Sequence, residues 1–508
     1  MRMNARLGQM LALAVVVVAL VGVAHAIPTA RLSGVISVPL TSVRRADDSD
    51  LHPELVHQQH INRGLTRYAV LSGRAEPSTL ELLSNMNDRL QALPHSIRKR
   101  FNHGGIEELI RHLSQPLHGE GSSVAGSEKH SFHSDTNLAH TDTEPKGFSP
   151  FVLDIAVKKA VTIAKRPTHK HSLGLDIQAN DLGYMATFQI GTPPRDFRLL
   201  VDSGSGDLWV GGENCKGKDG GSCGKHNFLG PKSSSTYNQS EWMWAIRYGS
   251  GAVVGHLVTD HVTIAGLTLE SFTFGVAAKE TTQFTPDRIP FDGIAGTARS
   301  IISRQRSQTF IEALHKAGKI AEPIASYKIS RVDDQKNDGE LTLGAMNPAK
   351  YKPETLVSVP NVSKIGFWEV AVDGITVEGQ DLKGMDSRNA ILDTGSTLFL
   401  APKEDVATIH SGIPGARYNG KAWSIPCNTT TALALKIGGR EFSIDARDLS
   451  FVPMDLRNLN GYCMSSICEV NLKGKYGGHW LVGDVFLKNV YMSTNVRTNQ
   501  ISLAKLAD

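Results

Sequence analysis

Two stretches of the 508-residue chain carry the same order of residue types. In "LLVDSGSGDLWV" (199–210) an apolar run ends on Asp202 and continues Ser203, Gly204, Ser205; in "AILDTGSTLFL" (390–400) it ends on Asp393 and continues Thr394, Gly395, Ser396. About ninety residues after each aspartate come apolar residues and a glycine close to an aspartate: "FDGIAG", ending at Gly296, and "WLVGDVF", around Gly483. A single Asp-Ser-Gly is an ordinary turn. A turn that recurs with its surroundings is an internal repeat, and it predicts two similar half-chains facing each other across a pseudo-twofold axis.

Brought within a few ångströms of each other, two such carboxyls cannot both ionise easily, and one keeps a proton over a range of acidic pH. The pair then holds a base and an acid at once. The charged member can deprotonate a water while the protonated member hydrogen-bonds a scissile carbonyl, with no covalent intermediate. Gly204 and Gly395 let the backbone approach a carboxylate closely. The hydroxyls of Ser203 and Thr394 can cross-brace the two turns, and those of Ser205 and Ser396 can hold the carboxylates from outside.

Such turns need a rigid frame. From about residue 172 the chain is made of short β-rich runs separated by Gly, Pro and Asn, as in "GYMATFQIGTPPRDFRLLV" and "VVGHLVTDHVTIAGLTLESFTFGV". One helix is expected at "SQTFIEALHKAG", where Phe310, Leu314 and Ala317 recur at helical spacing and Gly318 stops it. The expected body is all-β, with an N-terminal lobe over 171–335 and a C-terminal lobe over 336–508.

Composition changes near residue 170. Between Ile27 and His171 lie twelve of the nineteen histidines, no cysteine, and the polar run "HGEGSSVAGSEKHSFHSDTNLAHTDTEPKG", which has the composition of a linker. Residues 1–26 place Arg2 and Arg6 before an apolar run ending Ala24-His25-Ala26, the pattern of a signal peptide cut after Ala26. That run is short for a membrane span, and the tail "ISLAKLAD" lacks a lipid-anchor signal, so no membrane anchor is expected. In an oxidising route Cys215, Cys223, Cys427, Cys463 and Cys468 should give two disulfides and one spare thiol. Asn238, Asn361 and Asn428 begin glycosylation sequons, usable on exposed loops. The net charge is +4, and no basic cluster interleaved with aromatics points to nucleic acid. Histidines past residue 171 are scattered without ligand-like spacing, so neither metal nor cofactor is expected.

With these motifs in order, residues 172 to 508 resemble the pepsin-like aspartic endopeptidases (family A1) of the fungal secreted type. The resemblance implies a bilobal pepsin-like fold with the cleft between its lobes, and a monomer that hydrolyses peptide bonds at acidic pH between hydrophobic residues. Asp202 and Asp393 match the family's catalytic dyad. "IRYGSG" resembles its flap hairpin, which makes Tyr248 and Gly249 flap residues, and Trp209 looks like the indole that donates to the flap tyrosine. Leu200, Ile294 and Phe284 match positions lining a hydrophobic specificity pocket. Cys215 and Cys223 fit the family's small disulfide loop. "CMSSI" resembles its second cysteine segment, favouring Cys427 with Cys463, while Cys427 with Cys468 stays open. Two departures stand out: Ser203 keeps the hydroxyl of the commoner threonine without its methyl, and Gly206-Asp207 replaces the usual Ser-Asn. Near balance of charge beyond residue 172 argues against an extreme acid optimum.

The N-terminal region resembles a family feature too. "GVISVPLTSVRR" is similar to the first strand of pepsin-type propeptides, and "HPELVHQQHINRGLTRYAVLSGR" to their basic amphipathic inhibitory helix. Residues 27–170 are therefore expected to be a propeptide that inhibits its own enzyme, delivered to the extracellular space or a vacuole. Basic groups dock on carboxylates while these are charged, and the attraction fades as they protonate. Histidines gaining charge below about pH 6.5 would make the segment self-repelling, so acid should release it. Arg44-Arg45 and Lys165-Arg166 are candidate processing sites, the second weakened by Pro167. A non-catalytic relative would be expected to have lost an aspartate, an adjacent glycine or the flap tyrosine, and all are present. An adhesion protein would explain neither the duplicated turns nor the propeptide.

Overall fold

The computed structural model describes residues 36–38, 41–42, 53–71, 77, 79–93 and 183–507, apart from 218–219, 249–250, 282–283, 286–288, 335, 386, 456–457, 459 and 471–478. The signal peptide (1–26), the polar run at 118–147, both candidate processing pairs and Gly249 lie outside the described residues.

Period-two alternation of β-branched and aromatic side chains builds the body. In an eight-stranded sheet Phe188, Phe197, Leu199, Val201, Val210, Val262, Ile264 and Phe274 are completely buried. Its main strands are β1 (Arg195–Asp202), β2 (Leu208–Gly217), β3 (Asn238–Tyr248), β4 (Gly251–Ile264), β5 (Leu267–Glu280) and β6 (Gly293–Gly296), with Thr41–Ser42 and Tyr184–Ile190 on the far side of β1. A five-stranded sheet in the second half holds Glu369–Val372, β7 (Arg388–Leu392), β10 (Trp480–Val482), β8 (Phe399–Pro402) and β9 (Ile467–Val470), in that order.

The sequence repeat is a repeat of topology. β1 runs parallel to β6, which is antiparallel to β2; β7 runs parallel to β10, which is antiparallel to β8. The strands that end at each aspartate therefore lie beside the segments carrying Gly296 and Gly483. A Cβ on Gly296 would lie 2.5 Å from Ser205 O, so only glycine lets the two segments of that half close. A six-stranded sheet joins the halves: Ile324–Lys328 pairs with Glu340–Leu343 on one side and Val490–Asn495 on the other. The architecture is all-β and two-lobed.

Two helices of the N-terminal region pack on this body, α1 (Pro53–Leu71) and α2 (Thr79–Ala92), holding each other through Leu55, Leu90 and Leu93. Ile61 and Leu65 of α1 join an apolar cluster with Phe367, Leu398, Leu400, Cys468 and Val470. Gly64 lies so flat on Leu400 that a Cβ there would overlap its side chain. Upstream of α1, Ile36–Val38 adds an edge strand to the six-stranded sheet. The helix expected in the body runs over Phe310–Lys316, started by a capping box between Thr309 and Glu312, with Gly318 left-handed just beyond it at φ +67°. Among the described residues no helix is long and apolar enough to cross a membrane.

Candidate active site

Asp202 is the last residue of β1 and Asp393 follows β7, so each carboxyl is delivered by a buried strand end. Both aspartates are fully buried. Their surroundings match bond for bond. Gly204 N–H donates to Asp202 Oδ1 and Gly395 N–H to Asp393 Oδ1, each at 2.9 Å. Ser205 Oγ donates to Asp202 Oδ2 and Ser396 Oγ to Asp393 Oδ2, each at 2.6 Å. The glycines are needed for approach, because a Cβ on Gly204 would lie 2.6 Å from Asp393 Oδ1, and one on Gly395 would lie 2.6 Å from Asp202 Oδ1.

The hydroxyls one residue along tie the halves together. Ser203 Oγ donates to Leu392 O (3.0 Å) and accepts from Thr394 N–H (2.9 Å); Thr394 Oγ1 donates to Val201 O (3.0 Å) and accepts from Ser203 N–H (3.0 Å). Each hydroxyl thus satisfies two backbone groups of the opposite lobe. Burial lifts the Asp393 carboxyl above its ordinary range; Asp202 adds to the rise, while Arg67 and Ser396 oppose it.

Tyr248 ends β3 and is buried, and Trp209 Nε1–H donates to its hydroxyl at 2.8 Å. Phe284 meets both rings edge-on, at 5.5 Å from Trp209 and 5.9 Å from Tyr248. Leu200 and Ile294 belong to the same cluster. Burial first, then the charges of Asp207 and Asp202, raise the pKa of Tyr248 well above its usual value. Cys215 is joined to Cys223 and Cys427 to Cys463; Cys468 is free and buried. Of the sequons, Asn238 and Asn428 are exposed. Asn361 is not a usable glycosylation site: it is buried, its amide nitrogen donates to Phe367 O and Asn499 Oδ1, and its oxygen accepts from Ser363 and Glu369.

The roles of two site residues are not legible in the sequence. Arg67, from α1, reaches between the aspartates: Nη2 donates to Asp202 Oδ1 and, at 2.6 Å, to Asp393 Oδ1, while Nε pairs with Asp393 Oδ2. Burial works against this charge, and the two carboxylates outweigh it and raise the arginine's pKa. The basic character of the segment is visible in "INRGLTRY", yet nothing there separates Arg67 from Arg63. Asp207 is the second. It accepts from Ser303 Oγ (2.6 Å), Gln305 N–H (3.0 Å) and Arg304 N–H (3.0 Å), so it fastens the turn at 303–305 to the Asp202 turn.

Two all-β lobes, each delivering one buried aspartate on an equivalent turn to a shared cleft, define a protein built around a paired-carboxylate site. A family model for eukaryotic aspartyl proteases matches residues 183–506. The chain is 31% identical over 343 residues to a probable aspartic-type endopeptidase CTSD of Trichophyton verrucosum, covering 67% of this chain and 64% of that protein. It is 34% identical over 306 residues to the corresponding protein of Arthroderma otae, covering 60% and 77%, and 31% identical over 329 residues to pepsin A of Canis lupus familiaris, covering 64% and 82%. The chain thus spans slightly less than two thirds of the Trichophyton protein. It belongs to the eukaryotic aspartyl protease family.

Proposed function

We propose that the chain is an aspartic endopeptidase in its inhibited precursor form, with Asp202 and Asp393 as the catalytic pair. The observation that carries this reading is Arg67 Nη2, which reaches both inner carboxyl oxygens and fills the place an attacking water needs. The outer oxygens are held by Ser205 and Ser396, leaving the inner pair to share one proton. With Arg67 withdrawn, the ionised aspartate takes a proton from the bound water as its oxygen attacks the peptide carbonyl. The protonated aspartate donates to the developing oxyanion, and a proton then passes to the leaving amine as the C–N bond breaks. Tyr248, held by Trp209, closes over the substrate and excludes water. The apolar walls around Leu200, Ile294 and Phe284 favour hydrophobic side chains beside the cut. Residues 27–170 act as the propeptide ahead of lobes at 171–335 and 336–508, and a signal over 1–26 directs the product outside the cell or to a vacuole.

The test is hydrolysis of an acid-denatured protein by the acid-treated chain, with and without a statine-type inhibitor. Asp202→Asn and Asp393→Asn should each lower kcat by at least about 10²–10⁴-fold, the span of general acid–base catalysis. Activity that survives either substitution overturns the dyad assignment. Arg67→Ala should let the inhibitor bind the intact chain at neutral pH; an intact variant still closed to it would show that Arg67 is not the plug.

A further inference from the structure

The N-terminal part of α1 carries a second titratable group, away from the aspartates. His57 is 1% exposed, and its Nε2 lies 2.9 Å from Ser465 O and 3.0 Å from Cys468 Sγ. With Nε2–H donating to Ser465 O, the other nitrogen must carry the lone pair, and Nδ1 has no hydrogen-bond partner among the described residues. A proton added at Nδ1 would leave a buried N–H without an acceptor, which is among the costliest arrangements in a protein interior.

The charges around His57 do not compensate. Arg89 of α2 is buried nearby, bonded through Nε to Gln58 Oε1 and through Nη2 to Lys421 O. His60, one turn along α1, is buried with His57 against Phe451, their ring centres 5.0 and 5.8 Å from it. Behind Ser465 stands His410, whose Nε2 lies 2.8 Å from Ser465 Oγ. On β9, Cys468 and Glu469 flank the site, and Glu469 is bonded to Tyr418. Glu54 of α1 lies 3.9 Å from Arg89, and Lys421 acts on it as well. Burial first, then the Arg89 charge, hold the imidazole down to about 3 from an ordinary 6.5.

We propose that His57 is an acid-sensitive latch of α1: the helix seats on the second lobe only while this imidazole is neutral. The inference rests on the reading of α1 as the inhibitory segment. It adds to the Arg67 contact a group of opposite chemistry, one that unseats the helix by gaining charge rather than by removing it from the aspartates. In the released helix the imidazole protonates near its ordinary pKa of about 6.5. Its seated pKa is depressed, so the seating it contributes is complete above that value. It weakens by up to about tenfold per pH unit as the pH falls from about 6.5 toward 3.

Cys468 supplies the readout, because it is the one free cysteine of the five, it is buried, and α1 covers it through His57 and Ile61. The full chain is mixed with 4,4′-dithiodipyridine in a stopped-flow instrument between pH 7 and 4, and a gel verifies that it stays intact. Each rate is divided by that of the urea-unfolded chain at the same pH. The wild-type ratio should rise steeply below pH 6.5. His57→Gln keeps a donor for Ser465 O but does not titrate, and its rise should be shallower by close to tenfold per pH unit, about 10²-fold over pH 6 to 4. His57→Leu serves if the glutamine variant does not fold. A variant slope equal to the wild type overturns the latch. A wild-type Cys468 that reacts at pH 7 as fast as in urea would instead overturn the seating of α1 itself.

Discussion

The turns at Asp202 and Asp393 are hydrogen-bonded alike, yet five residues further on one half has Asp207 and the other Leu398. Asp207 is buried under three donors from residues 303–305. Leu398 lies with Leu400 in the apolar cluster that receives Ile61 and Leu65 of α1. Repetition is therefore confined to what a carboxylate pair requires: two strand ends, two glycine amides, two outer hydroxyls and a mutual brace. Divergence begins one turn later and divides the remaining work. The first half anchors its turn with polar contacts and carries Tyr248. The second presents an apolar floor to α1.

The halves also differ in how they hold acids away from the paired carboxyls, and the sharpest way to expose the difference is pH. Glu280, at the end of β5, is 5% exposed, and no cation pairs with it among the described residues; burial pushes its carboxyl up to about 8. Around the six-stranded sheet and the second lobe the pattern is reversed. Asp338 is held at about 2, where the Lys328 and Lys350 ammonium groups outweigh burial, and Asp445 is held at about 2 chiefly by its hydrogen bonds to Arg447. Asp448 is also lowered, by Lys488 and Arg331 against the effect of burial. Glu280 binds its proton more tightly folded than unfolded, so its contribution is complete below about pH 4.5 and is lost as the pH rises toward 8. Asp338 and Asp445 contribute above about pH 4 and lose that contribution as the pH falls toward 2.

Hydrogen exchange followed by peptide should therefore show the eight-stranded sheet loosening first on the alkaline side and the Arg331 region first on the acid side. Glu280→Gln should remove most of the alkaline loss, on the order of a few kcal/mol at pH 8. Equal loosening of both regions at each extreme would break the comparison. The mutual brace offers an effect of similar size. Ser203→Ala leaves Leu392 O and Thr394 N–H without their partner, each costing about 1–3 kcal/mol, and it should lower both thermal stability and kcat. A variant as stable as the wild type would mean that the brace is redundant.

The site was legible where its chemistry is local. Asp-Ser-Gly-Ser and Asp-Thr-Gly-Ser state the carboxylate, the close approach and the outer hydroxyl within four residues, and the second copy says that a partner exists. The strands were legible from alternation, and the helix at Phe310–Lys316 from its spacing and its stop. What stayed hidden depends on tertiary placement. Arg63 and Arg67 are alike in sequence, and only the seating of α1 brings Arg67 to the aspartates. Asp207 stood out as a departure from the family's asparagine, but its partners lie at 303–305, far along the chain. Helix α2, with Leu93 just beyond its end, carries Leu83, Met86 and Leu90 at helical spacing, a signal that reading residues 27–170 as a single propeptide left unused. The Asn361 sequon is a three-residue pattern that is silent about burial.

The finest difference between the halves is a single methyl. Thr394 has one and Ser203 does not, although their hydroxyls make equivalent bonds and both residues are completely buried. Thr394→Ser keeps both hydrogen bonds and removes only that methyl, so it should cost about 1 kcal/mol, the worth of one buried methyl. Ser203→Thr asks the converse question. Should the first half hold space matching the second, the added methyl restores the repeat and stabilises by a similar amount; should the turn be closed around serine, overpacking costs about 1–3 kcal/mol. Chemical unfolding of the three proteins side by side reads the answer, and kcat should change little in either variant because both hydroxyls remain. A Thr394→Ser variant losing as much stability as Ser203→Ala would show that packing, rather than the exchanged hydrogen bonds, holds the two turns together.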